Sequence, residues 1–178
     1  HIMDHRIIAG TVIEQVEETM AFMQKNLHVR VEITGAPARQ EIWDYPLVAL
    51  REALINAICH RDYGDTADIQ IKIFENSLHI WSPGTLPHGV SVPDLLSPTH
   101  PSRPRNKLIA QVFFDLGLIE RYGGGIQRIL AACASAGLPA PELENFQGGF
   151  RIVFQRAAGW TEGVTEGVTE GVTEGVTE

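Results

Sequence analysis

The chain has 178 residues, 44% of them hydrophobic and 20% charged, which allows one domain with a real core and is ordinary for a soluble globular protein. Its formal charge of −8 is partly an effect of the C-terminal tail, where Glu162, Glu166, Glu170, Glu174 and Glu178 supply five of the 22 acids and leave 17 against 14 bases. A mildly acidic domain carries no broad electrostatic footprint for DNA. Its three lysines, Lys25, Lys72 and Lys107, none preceded by glycine, exclude a Walker-type phosphate loop and with it a helicase motor.

No apolar run approaches the ~20 residues of a membrane span, so no membrane partner is expected. His1, Ile2 and Met3 read as a tag remnant, leaving 4–156 as the domain and 157–178 as a tail. Cys59 and Cys133 lie in predicted helices without metal-ligand spacing, which argues against zinc and disulfides and fits a reduced, cytoplasmic setting.

Thr11 and Glu14 have capping-box spacing, and Val12, Val16, Met20, Met23 and Leu27 make a helical stripe, so a helix is predicted over 12–27. Alternation over 29–34 and 39–43 around Gly35, Ala36 and Pro37 predicts a hairpin. A second helix is predicted over 46–60, with Pro46 at its first position and Leu47, Leu50, Leu54 and Ile58 at helical spacing.

On that helix Glu52 and Asn56 lie four apart and share a face. A carboxylate can orient or deprotonate a water, and a carboxamide oxygen is a hard ligand suited to Mg²⁺. The same pair also occurs on ordinary solvated helices. Arg61, in the run His60, Arg61, Asp62, Tyr63 at the helix end, has the chemistry to pair with a carboxylate or a phosphate.

Ile69, Ile71 and Ile73 alternate in a half-buried strand, and Leu78 and Ile80 lie in the next, which runs into Ser82, Pro83 and Gly84. The segment 85–104 is a long loop with five prolines and a helical turn at 92–96, read as a lid or as a surface excursion. His100, Arg103, Arg105 and Lys107 form the one locally basic stretch, either solvated or facing phosphate or nucleic acid. A helix over 106–116, with Leu108, Ile109, Val112 and Phe113 inward, is closed by Gly117.

Gly123, Gly124 and Gly125 open the next helix, 126–136. Three glycines there serve either as a flexible connector or as backbone that lets amides approach an anion at the positive end of the helix dipole. A short strand over 142–145 and a closing strand carrying Phe150, Ile152 and Phe154 complete the domain. Beyond it Thr-Glu-Gly-Val repeats four times; as a helix it would lose ~1 kcal/mol at each glycine, so a low-complexity linker is expected.

The E-x-x-x-N spacing of Glu52 and Asn56 resembles the N-box of the gyrase, Hsp90, histidine-kinase and MutL ATPase superfamily. ALREALINAICHRDY and RYGGGIQRI resemble the C-terminal ATPase-like domain of RecG-related transcriptional regulators, over about 7–156. The resemblance implies ATP and Mg²⁺ as ligands, Glu52 as general base, Asn56 as metal ligand, and Gly123, Gly124 and Gly125 as a phosphate-binding glycine box. It implies the first glycine box at Gly84, where Trp81 and Ser82 stand in place of an acid that reads adenine. DNA binding would then belong to regions outside this domain, a homodimer is compatible with the family, and a weak ATPase is expected. The alternative is a degenerate scaffold that binds no nucleotide. Strand and helix order predicts an α+β two-layer sandwich, with helices on one face of a mixed, mainly antiparallel sheet, and the resemblance implies that it is Bergerat-like.

Overall fold

A computed structural model describes residues 4–33, 40–101, 103–119, 124–159 and 163–166. In chain order the elements are α1 (Val12–Asn26), β1 (Val29–Ile33), β2 (Gln40–Trp43), α2 (Leu47–His60), β3 (Gln70–Ile73), β4 (Ser77–Pro83), α3 (Val92–Leu96), α4 (Lys107–Asp115), α5 (Gly125–Ser135), β5 (Glu142–Phe146), β6 (Gly149–Gln155) and β7 (Gly163–Glu166). The class is α+β, as the order of elements predicts.

α1 starts where its capping box places it: the Glu14 amide donates to Thr11 Oγ1 at 3.3 Å, and the Thr11 amide donates to Glu14 Oε2 at 2.7 Å. Its buried stripe of Val16, Met20 and Met23 packs on α2. α2 is the central element, nearly apolar all round, with Leu50, Ile55 and Ile58 fully buried, each contributing about 1.5–3 kcal/mol relative to exposure. Pro46 is its N-cap, so the helix begins one position later than expected, and the Pro46 carbonyl accepts the first helical bond from the Leu50 amide at 3.1 Å.

Backbone pairing divides the strands into two sheets, β2-β1-β7 and β3-β4-β6-β5, where the sequence suggests one. The second is antiparallel throughout, whereas β7 pairs parallel to β1, so pairing is mixed and mainly antiparallel. Side chains link the two sheets: Arg156, just past β6, donates to Asp44, just past β2, at 2.8 Å. β7 lies in the Thr-Glu-Gly-Val tail, and the rest of that repeat from residue 167 on lies outside the described residues.

Between β5 and β6 a two-residue turn is made by Gln147 (φ 47°) and Gly148 (φ 75°), the conformation that suits a right-twisted hairpin. β4 is the pivot of its sheet, its buried Leu78 and Ile80 paired opposite Phe154 and Ile152 of β6 and covered by α2.

α4 departs from expectation. Phe113 is buried and Ile109 packs partly on the core, but Leu108 is 84% exposed and Val112 42% exposed. The helix covers only one face: Ile109 and Phe113 are one turn apart on it, while Leu108, Val112 and Leu116 form a parallel stripe rotated ~100° away.

Candidate functional site

Glu52 and Asn56 project from adjacent turns of α2 toward the start of α5. Gly125, the first residue of α5, lies so close that a side chain there would collide with Glu52 Oε1 and would come within 3.0 Å of Asn56 Nδ2. Glycine at 125 is therefore what lets α5 close on α2. Among the described residues no side chain caps α5; Gly124 is its N-cap, and the first-turn amides of a helix have no intrahelical acceptor. Gly123 lies outside the described residues, and so do Arg121 and Tyr122.

Glu52 is 7% exposed, too buried for an unpaired charge. Arg128, three residues into α5, donates to its Oε2 through Nε at 3.2 Å and Nη2 at 3.0 Å. Sequence reasoning missed Arg128, although its signal was available: residues 125 and 128 share a helix face, so whatever Gly125 approaches, Arg128 can reach. Among the described residues the buried Asn56 amide nitrogen has no hydrogen-bond partner, the kind of polar atom that an incoming ligand satisfies.

A cavity of about 550 Å³ opens beside these groups, within the range of small-molecule sites. Asn56, His60, Ser82, Gly84, Gly124 and Gly125 are among the residues that line it. Residues of the segment 85–104, Leu86, Val90, Leu95 and Pro101 among them, line it as well. That segment is anchored at several points. Gln127 of α5 donates to the Leu96 carbonyl at 2.9 Å, at the end of α3. Arg105 donates to the Thr85 carbonyl at 2.8 Å and Asn106 to the Cys59 and Arg61 carbonyls at 3.0 and 2.7 Å, which satisfies the exposed end of α2.

Of the basic stretch, His100, Arg103 and Arg105 line the cavity. Burial pushes the His60 imidazole below its usual range, and the neighbouring Arg105 and His100 push it further, so His60 is neutral at pH 7. Burial, with the Glu52 carboxylate nearby, raises the Cys59 thiol to about 12, leaving it an inert core residue.

The first glycine region is present in altered form. Gly84 has φ +106°, a conformation that side-chain-bearing residues avoid, and a Cβ there would stand 3.1 Å from Asp62 Cβ. Ser82 is buried on the cavity wall and donates its hydroxyl to the Ala57 carbonyl at 2.9 Å. The Trp81 indole is engaged with the Phe146 carbonyl at 2.7 Å. Arg61 is not brought to the site. Its guanidinium donates to the Ala67 carbonyl at 2.9 Å and lies 4.9 Å from the Tyr63 ring, because α2 ends at His60 and the chain turns Arg61 toward the loop before β3.

The amides at Gly124 and Gly125 are chemically able to meet an anion, and the Asn56 carboxamide oxygen is a hard donor. Among the described residues no group of three His, Cys, Asp or Glu is placed to hold a metal. Mg²⁺ commonly takes one or two protein oxygens and the rest from phosphate and water, a share that Asn56 can provide.

No curated protein matches the chain. The crystal structure of the DIP2311 protein from Corynebacterium diphtheriae is similar, with a TM-score of 0.72 and 23% identity over 82% of this chain, and the chain spans 30% of that one. The likeness shows a shared fold. Residues 66–154 match the family described as "Putative ATP-dependent DNA helicase recG C-terminal". Gly84, Gly124, Gly125 and Arg128 fall inside the match, while Glu52 and Asn56 precede it on the helix packed against it. With half its length matched, the chain belongs to the RecG C-terminal family of ATPase-like domains.

Proposed function

We propose that this domain binds ATP with Mg²⁺ in the cavity between α2, α5 and the 85–104 segment, and that it is a weak ATPase within a RecG-related transcriptional regulator. The observation that carries the reading is the closure of Gly125 onto Glu52 and Asn56 at the cavity wall. Amides at Gly124 and Gly125, with Gly123 expected beside them, would meet phosphate oxygens at the positive end of α5. Asn56 would hold the metal, which when bound neutralises phosphate charge. Glu52 would orient and deprotonate the attacking water. The neutral His60 and the committed hydroxyl of Ser82 would face the remainder of the nucleotide.

A second reading has its own support. Glu52 is held by Arg128 and the acid expected near Gly84 is replaced by Ser82, the features of a scaffold that has lost its nucleotide. The 550 Å³ cavity favours the first reading. DNA contact in the regulator would fall to segments outside the domain, whose 17 acids against 14 bases give it no broad basic footprint. Calorimetry with a non-hydrolysable ATP analogue and Mg²⁺ tests the proposal. Binding at micromolar to millimolar concentration is expected, and a folded protein that gives no heat at millimolar analogue would support the scaffold.

A further inference from the structure

The Glu52–Arg128 pair lines two cavities at once. One is the 550 Å³ cavity described above; the other, of about 490 Å³, lies between α1, α2 and the 117–119 segment, lined by Met20, Leu47, Ile55 and Leu118 among others. The pair is thus part of the partition between them. Glu52 is nearly buried, with side-chain exposure of 9% against 30% for Arg128, so of the two partners the guanidinium has the freer access to solvent.

We infer that Arg128 senses the terminal phosphate of the nucleotide: it holds Glu52 until a triphosphate is bound, then turns to that phosphate and releases the carboxylate. This rests on the nucleotide reading above and adds a residue to it. Three observations support it. Arg128 Nε and Nη2 both donate to Oε2 of Glu52, so one carboxylate oxygen takes both of these bonds. Arg128 stands one turn into α5 from Gly125, on the face that meets Glu52 and Asn56. A planar guanidinium matches phosphate as well as carboxylate, so a phosphate is a competent rival for it. A buried carboxylate stripped of its cation is unfavourable unless the cation remains nearby, which ties release to arrival of the anion. The exchange breaks and forms only hydrogen bonds and ion pairs, with no group transferred.

The test compares calorimetric affinities for a non-hydrolysable ATP analogue and for ADP, both with Mg²⁺, in the parent and in Arg128→Met. The variant should lose tenfold or more in affinity for the triphosphate and stay within about twofold for ADP, and Arg128→Lys should recover part of the loss. Because Arg128→Met removes the guanidinium from a nearly buried carboxylate, the same comparison is made between Glu52→Gln and the double variant Glu52→Gln/Arg128→Met, where position 52 carries no carboxylate. The same selective loss is expected there. Equal losses for both nucleotides, or no loss for either, would overturn the inference and leave nucleotide binding standing. A parent that binds neither nucleotide would overturn the binding proposal and this inference together.

Discussion

Two buried carboxylates lie just before and within the first half of α2, and each has an arginine partner, yet their surroundings differ. Asp44, just before the helix, is fully buried; Arg156 Nη2 lies 2.8 Å and His28 Nδ1 3.2 Å from its Oδ2, and the Asp44 amide donates to the His28 carbonyl at 3.0 Å. It lines neither of the cavities described above. Glu52, in the second turn of the helix, has Arg128 on one oxygen and lines both. The Asp44 cluster joins one sheet to the other, whereas the Glu52 pair faces space that a ligand can enter. A buried ion pair is therefore not a functional signal by itself; adjacency to open volume and to a glycine that admits close approach separates the two.

The comparison is broken most directly by removing each carboxylate. Glu52→Ala should lower ATP hydrolysis by ~10²–10⁴ while ATP affinity stays within a few-fold, measured by steady-state turnover and calorimetry. Hydrolysis at the parental rate, with contaminating ATPases excluded, would reduce Glu52 to a second Asp44. Asp44→Ala should act on stability instead: Arg156 is left buried and uncompensated, a loss of about 3–5 kcal/mol in denaturant unfolding. A change below about 1 kcal/mol would remove the structural half of the contrast.

Smaller effects sharpen it. Gly125→Ala places a methyl group against Glu52 and Asn56, which should destabilise by about 1–3 kcal/mol through overpacking and lower ATP affinity at the same time. The Gly137 position, where no atom of the described residues lies within 4 Å of an added Cβ, is the control for steric contact, though its φ of +69° adds backbone strain of its own. Smallest is the effect of pH at His60. Its folded-state value is depressed, so above the ordinary imidazole range both states are neutral and nothing is gained or lost. As pH falls from about 6.5 toward the depressed value, the unfolded state takes up the proton first and stability declines. His60→Gln should flatten that part of the stability–pH profile, and an unchanged slope would place the acid sensitivity elsewhere.

Much of this architecture is legible from periodicity and punctuation. The capping box at Thr11, the isoleucine alternation into β3 and the glycines after α4 and α5 each encode a local geometry that tertiary packing only confirms. Glu52, Asn56 and Gly125 were also readable, because helical spacing and helix-start chemistry are local. What escaped depends on neighbours distant in sequence. Periodicity shows that α4 has two apolar stripes but not which one is covered, and only Ile109 and Phe113 meet the core. Arg61 and Arg128 are equally basic on paper; a carbonyl at Ala67 holds one away from the site and a carboxylate at Glu52 draws the other in. The split between two sheets depends on pairings between strands far apart in the chain, which alternation along a single strand does not specify.

The central claim is that a nucleotide occupies the space between α2 and α5. A crystal structure of the domain with Mg²⁺ and a non-hydrolysable ATP analogue tests it most directly. The account predicts phosphates against the amides of Gly124 and Gly125, a metal within about 2.1 Å of the Asn56 side-chain oxygen, and Arg128 turned from Glu52 toward the terminal phosphate. A cavity filled by its own side chains, or a nucleotide bound elsewhere with Asn56 untouched, would contradict it.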